Sequence, residues 1–150
     1  MQVSCQLFRE VFLRQIFISL LLLLLMTSPL QAAVPLSSSG AALREARAFL
    51  SLLDQHRYAA AWSVGTRYFK TRLTVTKWQQ IMVKHREPLG EVRARKRISL
   101  KHIDSFDSAP VGQYMQIEFS TRFKRKTQLE RLVFQRDTDG YWRISSYKLR

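Results

Sequence analysis

The side chains able to do chemistry are few and scattered. The chain has three histidines, His56, His85 and His102. None has a second histidine or cysteine at the i+2, i+3 or i+4 spacing that sets two zinc ligands side by side, so no metal is expected. His85 falls on the apolar face of a predicted helix, where a histidine satisfied by a backbone partner is the usual reading and a base or ligand the rarer one. His56 reads as solvated. The one cysteine, Cys5, precedes a long apolar run. No serine stands in a G-x-S-x-G elbow, and no glycine-rich loop could cradle a phosphate. These patterns disfavour a hydrolase or a nucleotide enzyme without excluding one, since triads assemble in space. No cofactor is expected.

Glu130 is the carboxylate of most interest. Alternation places it on the same strand face as Leu132 and Phe134, toward the apolar side of a sheet. A carboxylate buried there must be paired or protonated. A structural ion pair is the plain reading, and a catalytic acid or ligand anchor the sharper one. Trp62, Trp78 and Trp142 read as core aromatics, with ligand stacking as the alternative. A second theme is basic: Arg93, Arg95 and Arg97 share one face by alternation, and Lys124, Arg125 and Lys126 end the next strand. Pairing of those strands would gather a cationic patch for an anionic surface or polymer. No aromatics interleave with it, as base stacking would require.

The elements that must position these residues fall in two halves. Ala42, Ala46, Phe49, Leu50 and Leu53 mark one face of a first helix. Tyr58, Ala61, Trp62, Gly65 and Phe69 mark a second. A third, capped by Thr74 or Thr76, carries Trp78, Ile81, Met82 and His85 until Pro88 and Gly90 end it. Beyond Gly90 the period becomes two. Strands are predicted over Val92 to Ile103, Gln113 to Phe123, Leu129 to Gln135 and Tyr141 to Leu149, the last two joined by the Asp137-Thr138-Asp139-Gly140 turn. Helices followed by hairpin strands give an α+β fold: three N-terminal helices on a curved four-stranded antiparallel sheet, as in cystatin-like and nuclear-transport-factor-like cones.

The N-terminal residues read as a signal peptide, 1–32. Arg9 and Arg14 precede the apolar run from Ile16 to Met26, which is short for a spanning helix, and Ala32 or Ala33 offers a small residue for cleavage; an uncleaved anchor, its run extended back through Phe12 and Leu13, is the alternative. A linker over 33–40 and a single domain over 41–150 follow. Removing the leader takes away Cys5, Arg9, Arg14 and Glu10. The totals of 25 basic and 11 acidic residues then become 23 and 10, a net charge of +13. Such a charge favours anionic partners. Outside the cytoplasm, in the periplasm or medium, those are an envelope component or an acidic protein rather than nucleic acid, and a small ligand stays open.

Arg86-Glu87-Pro88-Leu89-Gly90, Thr121-Arg122-Phe123 with Lys126 and Glu130, and Asp139-Gly140-Tyr141-Trp142-Arg143-Ile144 with Tyr147 together resemble the secreted bacterial domain-of-unknown-function 4019 family. Its pattern pairs R-x-P-L-G with T-x-F-x-x-K and D-G-x-W-R-v-x-G-Y. The resemblance runs from about Ala42 to Arg150 and includes Arg95. Ser146 departs from it, standing where the pattern has glycine. By family position Arg86, Arg95 and Arg143 are candidate partners of Glu130. The resemblance brings no activity with it. The resulting expectation is a non-enzymatic binding or accessory domain whose ligand or partner site draws on Arg86, Gly90, Arg95, Glu130 and Trp142. The alternative is a small cone-fold enzyme with its acid or base at Glu130 or His85.

Overall fold

The computed structural model describes residues 38–150. The expected signal peptide and the linker as far as 37 lie outside these residues. Helix α1 (Ser38–Asp54) buries Ala42, Ala46, Phe49, Leu50 and Leu53, the stripe that the spacing predicts. It begins earlier than expected, so Ser38, Ser39 and Gly40 form its first turn instead of the end of a tether.

The expected second helix is in fact two, α2 (Tyr58–Ser63) and α3 (Arg67–Arg72), which makes four α-helices among the described residues where three were expected. The break serves the sheet edge. Gly65 makes a parallel bridge to Ile144, and the Thr66 N–H donates to the Ile144 carbonyl at 2.9 Å. The Thr66 hydroxyl then accepts from the Phe69 N–H at 3.1 Å and caps α3. A side chain on Gly65 would stand 2.5 Å from the Phe69 ring. Helix α4 (Val75–His85) is capped in the same way by Thr74, which accepts from the Lys77 N–H. A 3-10 turn over Glu87–Leu89 carries Pro88 and closes on Gly90, whose φ of 78° suits glycine.

Strands β1 (Val92–Ile103), β2 (Tyr114–Phe123), β3 (Thr127–Arg136) and β4 (Trp142–Leu149) form one antiparallel sheet in the order β1-β2-β3-β4. The fold is α+β. Met115, Ile117, Phe119, Thr121 and Phe123 are buried on one face of β2, beside Glu130, Leu132 and Phe134 of β3. Against this face lies Phe49, whose ring is 6.2 Å from Trp78, 6.5 Å from Phe134 and 5.8 Å from Tyr147. A buried phenylalanine with that many partners is worth about 3–5 kcal/mol against alanine. Tyr114, out of phase with the buried row of β2, is covered by Phe106 of the β1–β2 loop, which also meets Tyr68 of α3. Among the described residues no helix is long and apolar enough to cross a membrane.

Candidate functional site

Two helical stripes end in charge at the same place. On α1 the four-residue steps Ala46 and Leu50 lead to Asp54. On α4 the steps Trp78 and Met82 lead to Arg86, 4% exposed in its side chain, just past the helix end. This stripe corrects the reading of His85 as a core residue: the buried row advances by four and four rather than four and three, and His85 is exposed.

Below these ends the sheet supplies Thr121, Glu130 and Tyr147 from β2, β3 and β4. Arg95 joins them through a bulge. The β1 register slips between Val92 and Ala94, leaving Arg93 without an opposite residue, and the slip turns Arg95 inward beside Thr121. Arg93, Arg95 and Arg97 therefore do not form the uninterrupted outward row that alternation suggested. A second slip between Arg97 and Ser99 leaves Ile98 exposed.

Glu130 is fully buried and receives four donors. Its Oε1 accepts from the Arg86 guanidinium at 3.1 Å and from the Tyr147 hydroxyl at 2.7 Å. Its Oε2 accepts from Arg95 Nε at 2.8 Å and from the Thr121 hydroxyl. Asp54 completes the set: both of its oxygens take Arg95, at 2.8 and 2.9 Å, and one also takes Arg86. The Arg86 guanidinium lies 5.0 Å over the Phe123 ring. Two cations thus face two anions, and no buried side-chain nitrogen or oxygen among the described residues lacks a partner. Burial works against the charge of Arg95, but its hydrogen bonds and attraction to Asp54 and Glu130 outweigh that and hold its proton more tightly than usual. Tyr147 is pushed well above the ordinary tyrosine range, by burial first and by the charge of Glu130 second.

The chain matches the family model described as a protein of unknown function (DUF4019) over residues 45–147. It belongs to this family. No curated protein compared with it is a match. Several positions of the DUF4019 resemblance acquire a physical meaning here, since Arg86, Arg95, Thr121 and Tyr147 all meet around the Glu130 carboxylate.

Arg143, the third candidate partner for Glu130, does not join them. It binds Asp139 at 2.6 and 2.8 Å and Asp137 at 3.0 Å, across the β3–β4 turn. Asp139 is held down to about 2 by these bonds and by the Tyr141 N–H. Asp54 was missed, having been read as part of a polar break. Its four-residue spacing from Leu50 was the available signal.

The remaining candidates separate. Arg86 and Gly90 line a cleft of about 300 Å³ with Asp54, Tyr58, Glu87 and Phe123; neither Glu130 nor Arg95 opens into it. The Tyr58 hydroxyl in that cleft is pushed up to about 12, by burial and then by Glu87. Trp142 is elsewhere, buried at the far end of β4 with its ring 6.4 Å from His102. Trp62 donates to the Leu73 carbonyl, and Trp78 to the Tyr58 carbonyl at 2.9 Å, so both act as supports of the fold. Among the described residues no three histidine, aspartate or glutamate side chains converge as metal ligands would.

Part of the cationic patch does assemble. Lys124, Arg125 and Lys126 form the β2–β3 turn, exposed and fixed to the 3-10 turn by Arg125 N–H to Leu89 O, Arg125 Nη1 to Pro88 O and Lys124 N–H to Glu91 O. The bulged Arg93 stands beside them, 3.2 Å from Glu91, with exposed Arg122 next along β2. Arg97 is apart, in a groove with Ser39, Gly40 and Leu43 of α1.

Proposed function

We propose that this DUF4019 chain is a non-enzymatic binding or accessory domain of the cell envelope, exported to the periplasm by its leader and held at anionic envelope surfaces by the basic turn. One observation carries this reading. The buried carboxylate that could have been an acid or base is used up: Glu130 takes four donors on two oxygens and has no solvent-exposed surface. Such a network fixes where α1, α4 and the sheet meet. The cone architecture belongs to the same proposal. Its support is the register slips in β1 and β4, which bend strands, and the approach of His102 on β1 to Trp142 on β4 across a sheet in which those strands are not neighbours.

The acid/base alternative has less support, because exposed His85 lines a groove that Glu130 does not reach. Flotation with phosphatidylglycerol and with phosphatidylcholine vesicles tests the surface claim. The mature chain should float with the anionic vesicles alone, come off as salt rises, and lose most of its binding in a Lys124→Ala, Arg125→Ala, Lys126→Ala variant. Equal or salt-insensitive binding to both vesicle types, or none, would sink it.

A further inference from the structure

Two adjoining openings, of about 430 and 300 Å³, share Ile81 of α4 with Tyr147 and Lys148 of β4 and together make a groove along the outer edge of the sheet. We propose that this groove takes an extended, acidic peptide segment as an added strand on β4.

The backbone makes the first argument. Leu129 and Arg150 exchange both backbone hydrogen bonds, at 2.8 and 2.9 Å. In an antiparallel ladder the bonded pairs alternate. With Leu149 opposite Glu130, Lys148 opposite Arg131 and Tyr147 opposite Leu132, the N–H and C=O of Tyr147 and Leu149 point away from β3, toward the groove. The same edge is already paired one step upstream, where Gly65 bridges Ile144. The fold closes β4 with its own chain at Ile144 and offers the continuation.

The walls make the second argument. Half-buried Leu73, Ile81 and Tyr147 give the groove an apolar floor for alternate side chains of a guest strand. Arg72, Lys148 and Arg150 line it as exposed cations, against one acid, Asp107, 3.6 Å from Lys148. This charge calls for an acidic guest. Alternating backbone donors and acceptors call for a peptide, because an acyl chain would leave them unused.

Fluorescence anisotropy of a labelled peptide of alternating glutamate and valine, titrated with the protein, tests the proposal. Saturable binding is expected. It should fall about tenfold or more when alternate peptide nitrogens are methylated on the side facing β4, and similarly for a Lys148→Glu, Arg150→Glu variant. A Lys124→Glu, Arg125→Glu variant, altered in the vesicle-binding turn, should bind the peptide unchanged. No binding, equal affinity for the methylated peptide, or equal loss in both variants would overturn the proposal. So would displacement of the peptide by phosphatidylglycerol vesicles, which would make the groove a lipid site, or sedimentation as a dimer that the Lys148→Glu, Arg150→Glu variant abolishes, which would make it a self-association edge.

Discussion

Replacing Glu130 by glutamine changes no volume and opens no cavity, so the cost reports on charge and hydrogen bonding alone. The amide keeps one acceptor oxygen. Its NH2 must face either Arg95 and Thr121 or Arg86 and Tyr147, where donors already point. Arg86, 4% exposed, and Arg95, 17% exposed, are then left with Asp54 as their one anion, itself 30% exposed. Breaking a buried ion pair from one side costs about 3–5 kcal/mol. At roughly 4 °C per kcal/mol for a domain of this size, Tm should fall by about 12–20 °C. Urea unfolding followed by circular dichroism measures the loss directly, provided the m-value is unchanged. A loss below about 1 kcal/mol would refute the reasoning, because that is what an exposed pair gives.

Asp54→Asn should be milder, about 1–2 kcal/mol, since water screens the outer side of that carboxylate and Glu130 still neutralises one guanidinium; a loss equal to that of Glu130→Gln would contradict this ranking. On the alkaline side, the folded protein holds the Tyr58 proton to about 12 and the Tyr147 proton well above the ordinary 10. The unfolded chain releases both near 10, so their contribution to stability is complete below that pH and declines as pH rises toward 12. Burial raises Tyr114 as well, so phenolate absorbance should show three fewer tyrosines titrating near pH 10 in the native protein than in urea, and Tyr58→Phe should flatten the decline. For Asp139 the sign reverses: its folded value of about 2 lies below the unfolded 3.8, so its contribution is present above 3.8 and lost as pH falls through 2. Carboxylate NMR titration of Arg143→Ala should return Asp139 toward 3.8, and an unmoved titration would assign the shift to something other than Arg143.

The sequence displayed most of the fold because most of its elements are periodic. The α1 stripe from Ala42 to Leu53 and the buried row from Met115 to Phe123 were legible as spacing, and Asp139-Gly140 as a turn. What stayed hidden depends on single-residue events. Gly65 looked like one more small residue on a helical face, and only the sheet edge at Ile144 makes it a break. Arg93, Arg95 and Arg97 alternated cleanly on paper, and nothing local reveals that Arg93 is skipped by its partner strand. Glu130 was found because its strand is regular. Of its three expected partners, Arg86 and Arg95 arrive, while Arg143 has nearer acids in its own turn. Asp54 is distant in sequence and could be placed only by following a helical stripe one step beyond its last apolar residue.

The network around Glu130 also bears on the order of events when the chain folds. Its links join residues far apart: 41 positions separate Asp54 from Arg95, 44 separate Arg86 from Glu130, and 61 separate Arg86 from Tyr147. Helices and the β2–β3 hairpin need only local chain, but these contacts wait until the sheet and both helix ends are in place. Interactions completed after the rate-limiting step act as a latch: their loss quickens escape from the native state and leaves its formation nearly as fast. The instability of Glu130→Gln should therefore appear in the unfolding limb of a chevron plot, and the wild-type carboxylate serves the domain chiefly by lengthening the lifetime of its native state.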